Sequence, residues 1–273
     1  MNDNKDFEVL KIDFECPACK KAEQSTKRIP VSRVIEKLDS FFETDNLIGA
    51  KNLLDYWQKE AIITGDLSGE LTVVNEILGL SRRMSDKESG LSAIERALEL
   101  ITLTGMENSP SGATIMINAA TTSKAFGYPE KAVALYEKAT EIYKAELDEN
   151  DERNAALYNN FATTLADLAR FDEAEDLYKK ALAITLGKTD TLLDAAVTYV
   201  NMAHLYESKE SPESRLIEEC LLTAEEILED KRIERNAYYA FVAEKCAPSF
   251  DYFGYFLTAQ NLYKKSREIY ERS

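Results

Sequence analysis

Gly127-Tyr-Pro-Glu-Lys-Ala-Val-Ala-Leu-Tyr-Glu-Lys-Ala139 and Ala169-Arg-Phe-Asp-Glu-Ala-Glu-Asp-Leu-Tyr-Lys-Lys-Ala181 align without a gap, 42 residues apart. Both carry a small, a large and a small residue at i, i+4 and i+7: Ala132, Tyr136 and Ala139 in one, Ala174, Tyr178 and Ala181 in the other. Residues so spaced share one face of a helix, where small side chains let two axes approach and the large one fills the gap. The pattern recurs upstream as Gly90, Ile94, Ala97 and, more weakly, as Ala50, Leu54, Trp57. Downstream it returns as Ile217, Leu221, Ala224 and as Ala259, Tyr263, Ser266. The closing positions 57, 97, 139, 181, 224 and 266 are separated by 40, 42, 42, 43 and 42 residues, a period that marks a repeat array.

Ahead of each triplet lies a second amphipathic segment, such as Leu157-Tyr158-x-x-Phe161-Ala162-x-x-Leu165 or Val200-x-Met202-Ala203-x-Leu205-Tyr206. A short turn separates the two, so each unit is an antiparallel helix hairpin. Helix-stop glycines at 65, 105 and 187 mark the boundaries, and Pro129 and Pro212 mark starts, where a missing N–H costs nothing in the first turn. Pro248 is expected to interrupt the first helix of the last pair, and Trp57 stands where a small residue belongs, so the end units are atypical. Residues 1–30 lie outside the period and form a lead-in, and residues 31–273 form one helical repeat domain.

These residues resemble the tetratricopeptide repeat, with Asn-x-Gly/Ala in its first helix, Gly-x-Tyr/Phe at the turn, and Ala, Tyr and Ala in its second. The likeness covers about residues 31–271 and is best over 114–184; the 42-residue period is similar to the longer repeats of kinesin light chains. The resemblance implies an all-α, right-handed superhelical solenoid of about six helix pairs, and a binding or scaffold role. The motif residues are packing residues, so they specify a fold and leave the partner open.

Composition narrows the function. With 33 Lys+Arg against 49 Asp+Glu the net charge is −16, which repels phosphate backbones and anionic membranes and argues against a nucleic-acid or membrane partner. No stretch has a signal peptide's apolar core or a membrane span's length, and four cysteines do not make a secreted disulfide framework, so a cytoplasmic protein is expected. The 30 residues before the first pair are too few for a helix-turn-helix domain.

Chemistry has few places to reside. Cys16-Pro-Ala-Cys19 is half a zinc site with no second ligand pair at zinc-ribbon spacing, or two exposed thiols. His204 is the only histidine, and there is neither a glycine-rich phosphate loop nor a nucleophile elbow, so no enzyme, no metal and no cofactor are expected. The stronger signal is a row of asparagines, Asn75, Asn118, Asn160 and Asn201, spaced by 43, 42 and 41 on four successive first helices. An amide both donates and accepts, so such a ladder can grip the backbone of an extended peptide, or else bond neighbouring helices. Tetratricopeptide proteins similar to this chain often turn these asparagines to the concave groove. Asn159, Thr121, Thr163, Arg82, Arg83, Lys124 and His204 lie near the ladder, and the three cations suit a carboxylate or acidic side chains. The expectation is therefore an adaptor that binds a protein or peptide, against an oligomerising scaffold or a redox or metal role for Cys16 and Cys19.

Overall fold

A computed structural model describes residues 28–272. Twelve α-helices and one short 3-10 turn account for its regular structure, and no strand occurs among the described residues. The chain divides into two compact units, one ending at Leu147 and one beginning at Asp148. The lead-in with Cys16 and Cys19 lies outside the described residues.

The first unit holds three hairpins: α1 (Val31–Glu43) with α2 (Leu47–Thr64), α3 (Leu67–Met84) with α4 (Lys87–Leu103), and α5 (Pro110–Ala125) with α6 (Pro129–Glu146). The second holds three more: α7 (Glu152–Asp167) with α8 (Phe171–Thr185), α9 (Leu192–Glu207) with α10 (Ser214–Glu229), and α11 (Ala237–Tyr252) with α12 (Phe256–Tyr270). Every triplet falls on the second helix of its hairpin, as the period requires.

The turns explain why the hairpins repeat. In five of the six, a residue one or two positions after the helix has positive φ: Asp45, Ser85, Gly127, Ala169 and Gly254. The next N–H then reaches back five residues to a free carbonyl of the last helical turn, Asn46 to Phe41, Asp86 to Ser81, Tyr128 to Ser123, Arg170 to Leu165 and Tyr255 to Phe250. This glycine-favouring stop satisfies carbonyls the helix leaves unpaired and reverses the chain in few residues. The α9–α10 connection is longer, and α10 begins at Ser214, two residues after the start read at Pro212. Helix starts are capped by side-chain oxygens: Asn46, Asp66, Asp86, Ser109, Asp151 and Asn236 each accept an N–H of the first turn.

Packing follows the triplets. Ala132, Tyr136 and Ala139, like Ala174, Tyr178 and Ala181, are at most 1% exposed. Gly90 shows why a small residue stands at that place, since a Cβ there would lie 2.2 Å from the Phe126 ring. Two expectations are corrected. Pro248 does not interrupt its helix: α11 runs through it to Tyr252, because a proline removes one backbone hydrogen bond while tertiary packing holds the remaining turns. In the last triplet Tyr263 is 41% exposed and its neighbour Leu262 is buried instead.

Candidate functional site

Two first helices of the first unit, α3 and α5, are buried on nearly every side. From Gly112 to Ser123 every residue of α5 is buried, and α3 is buried from Gly69 to Arg82 except at Glu76. Asn75 and Asn118 are each 1% exposed, and the Asn118 amide donates to Asn75 Oδ1 at 2.8 Å. Arg82, also buried, donates from Nη1 to Thr122 Oγ1 at 2.7 Å and to the Asn118 carbonyl at 3.3 Å. Thr121 turns to the Tyr136 hydroxyl, 2.9 Å away. These four residues fasten α3, α5 and α6 together, and all four are buried. The physical reason is legible in α5, whose residues 110–123 apart from Asn118 are small, apolar or hydroxylic and carry no charge, as suits a helix with no solvated face. Arg83 is exposed but drawn to α1, its guanidinium 4.6 Å from the Phe42 ring centroid and 3.9 Å from Asp45. Lys124 is half-buried at the end of α5.

Beside this wall the second hairpin carries an ion pair. Glu70, 1% exposed, accepts both Nε and Nη2 of Arg96 at 2.7 Å, and Arg96 also pairs with Glu99. The bidentate Glu70 contact holds the Arg96 guanidinium well above its usual pKa.

The second unit is open where the first is closed. Asn159, Asn160, Thr163, Asn201 and His204 are half-buried, on α7 and α9. Asn201 donates to Asn159 Oδ1 at 3.2 Å, so the ladder continues from α7 to α9 through Asn159. Among the described residues Asn160 is engaged through its backbone carbonyl, which accepts from Thr163 and Thr164. His204 Nε2 lies 2.9 Å from Ser249 Oγ on α11, with its ring against Tyr252 and Phe253. Further cross-links join the same helices: Tyr238 donates to Asp194, and Tyr252 to Glu207 at 2.9 Å. Tyr238 stacks on Phe241 at an interplanar angle of 17°, and Lys245 lies over the Phe241 ring.

The structure therefore joins Asn159 to Asn201 and His204 to Ser249 across α7, α9 and α11, leaves Asn160 half-buried on α7, and adds Tyr238, Phe241 and Lys245, which the sequence reading missed. A signal for them existed: Tyr238 follows its partner Asp194 by 44 residues and Ser249 follows His204 by 45, close to the repeat period. No cluster of three or more metal-ligating side chains occurs among the described residues, and none of their helices is long and apolar enough to cross a membrane. Burial pushes the thiols of Cys220 and Cys246 up to about 12.

Residues 127–187 match the sequence model of the tetratricopeptide repeat. Over those residues the chain carries tetratricopeptide-repeat sequence. BtubC (BKLC) from P. vanneervenii shares the fold with a TM-score of 0.52 at 18% identity, over 88% of this chain and 91% of that one. Nearly identical TPR-like repeats of kinesin light chain type from Podosopora anserina align with a TM-score of 0.48 at 17% identity, over 72% of this chain and 94% of theirs. No curated protein matches the chain by sequence. The tetratricopeptide repeat is a protein-interaction fold, and the likeness to the solved structures is one of fold alone.

Proposed function

We propose that this chain is a non-catalytic adaptor that binds an extended protein or peptide segment across the first helices α7, α9 and α11 of its second unit. The observation that carries the reading is the contrast between the two units. The polar ladder of the first is consumed internally, whereas that of the second stands half-open beside a stacked aromatic pair. Amides of Asn160, Asn159 and Asn201 suit a peptide backbone whatever its side chains, and the Tyr238–Phe241 pair suits an apolar or aromatic side chain of that segment. Cross-links from Asn159 to Asn201 and from His204 to Ser249 hold the rows in register, so little order is lost on binding. Cytoplasmic work fits the two free thiols at Cys220 and Cys246.

Selection from a displayed random peptide library on the wild-type chain, followed by affinity measurement on Asn160→Ala, Asn201→Ala and Phe241→Ala, tests the reading. Enriched peptides should bind each variant roughly tenfold or more weakly, the loss expected from a buried interface anchor. Equal affinity for all three variants, or no enrichment, would overturn it.

A further inference from the structure

The α11–α12 hairpin carries an exposed aromatic surface. At the middle position of the triplet Tyr136, Tyr178 and Leu221 are buried, but Tyr263 is 41% exposed. It is not alone. Phe256, Tyr263 and Tyr270 follow each other at intervals of seven on α12, and are 59%, 41% and 48% exposed, so one face of that helix carries an aromatic stripe. On α1, by contrast, the exposed residues Ser32, Arg33, Glu36, Lys37 and Asp39 are hydrophilic.

The charges around the stripe are arranged in two edges. On α11, Glu244 and Asp251 are exposed, and both lie near enough to raise the Tyr263 hydroxyl's pKa, after burial as the main cause. On α12, exposed Arg267 stands one turn beyond Tyr263 on the same face, with Lys264 beside it. An aromatic centre flanked by an acidic edge and a basic edge is complementary to itself, because a two-fold axis through the centre carries each edge onto the other. In a chain of net charge −16 a second copy would otherwise be repelled, which makes a local basic edge informative.

We infer that the α11–α12 face centred on Tyr263 is a two-fold self-association surface, on which two copies of this chain pair with Arg267 of each set against Glu244 and Asp251 of the other. The contact spans two helices of about four turns, at the small end of specific interfaces, so a dimer of micromolar strength follows. The two surfaces share α11, but this one does not use the amides of Asn160 and Asn201, and the oligomeric state is read without any peptide, so failure of one reading is distinguishable from failure of the other.

Sedimentation equilibrium of the full chain over a concentration series is the test. The wild type should dimerise, and Tyr263→Lys and Arg267→Glu should each raise the dissociation constant roughly tenfold or more. Both substitutions are at exposed sites, so the thermal midpoint should stay near that of the wild type. Combining Arg267→Glu with Glu244→Arg and Asp251→Arg exchanges the two edges and should return the dissociation constant to within about threefold of the wild-type value. A chain that stays monomeric at hundreds of micromolar would overturn the inference. So would a dimer that tolerates both single substitutions, or one that the exchanged edges fail to restore.

Discussion

Replacing Asn118 by Ala separates a packed ladder from an accessible one. Asn118 is 1% exposed, and its amide donates to the equally buried Asn75 Oδ1 at 2.8 Å. The substitution removes that donor and leaves the Asn75 acceptor inside the wall, where stranding a buried polar group costs about 1–3 kcal/mol. Asn75→Ala strands the Asn118 donor instead, at similar cost. The double substitution strands neither, so it should cost less than the sum of the singles by about 1 kcal/mol or more, the signature of directly coupled sites. Asn160 sits at the same repeat position in the second unit but is half-buried, so Asn160→Ala should cost only about 0.5 kcal/mol. Urea unfolding followed by far-UV circular dichroism measures all four variants. Equal effects at Asn118 and Asn160, or strictly additive effects at Asn75 and Asn118, would refute the division of the ladder.

Other consequences follow from packing, turns and charge. Ala139→Leu and Ala181→Leu each force a larger side chain into a helix crossing where the alanine is 0% exposed, and should cost about 1–3 kcal/mol in the same unfolding assay. Ala169 holds φ at 57° in its turn, a conformation that costs a non-glycine residue about 1–2 kcal/mol; after glycine's greater unfolded-state entropy is deducted, Ala169→Gly should stabilise by about 0.5–1 kcal/mol, read as a raised thermal midpoint. Glu70→Gln leaves Arg96 without its buried carboxylate; because Arg96 itself is 28% exposed, the loss should be about 2 kcal/mol, below that of a fully buried pair. Asp86 has its pKa lowered by the Ser89 N–H and by Lys51, so its stabilisation is present above the ordinary carboxylate range and is lost as pH falls through the lowered folded value; Asp86→Asn should flatten the acid side of a stability–pH curve below about pH 4 and leave its slope near pH 7 unchanged.

The fold was legible because the same packing problem is solved six times. A small residue at Ala139 or Ala181 is required wherever two helix axes approach, and the requirement recurs at the repeat period whatever the surface does. Gly127 was readable for a similar reason, since its φ of 88° favours glycine. Ala169 takes the same conformation without the glycine that would announce it, and Pro248 looked like a break because one missing hydrogen bond is visible in sequence whereas the packing that tolerates it is not. The site was less legible. Asn118 and Asn160 have the same type and period, and what separates them is whether the helix around them keeps a solvated side. That depends on neighbours far along the chain, although the uncharged run from Pro110 to Ser123 already indicated full burial. Tyr238 and Ser249 were missed because aromatic and hydroxyl residues are ordinary core and cap residues until a partner on the preceding first helix is known.

Side-chain amide NMR tests the central claim most directly. On titration of a library-selected peptide into the wild-type chain, the NH2 resonances of Asn160, Asn159 and Asn201 should shift, while those of Asn75 and Asn118 stay in place behind their mutual hydrogen bond. Shifts confined to Asn75 and Asn118, or a bound peptide that moves none of the three amides of the second unit, would contradict a binding surface on α7, α9 and α11.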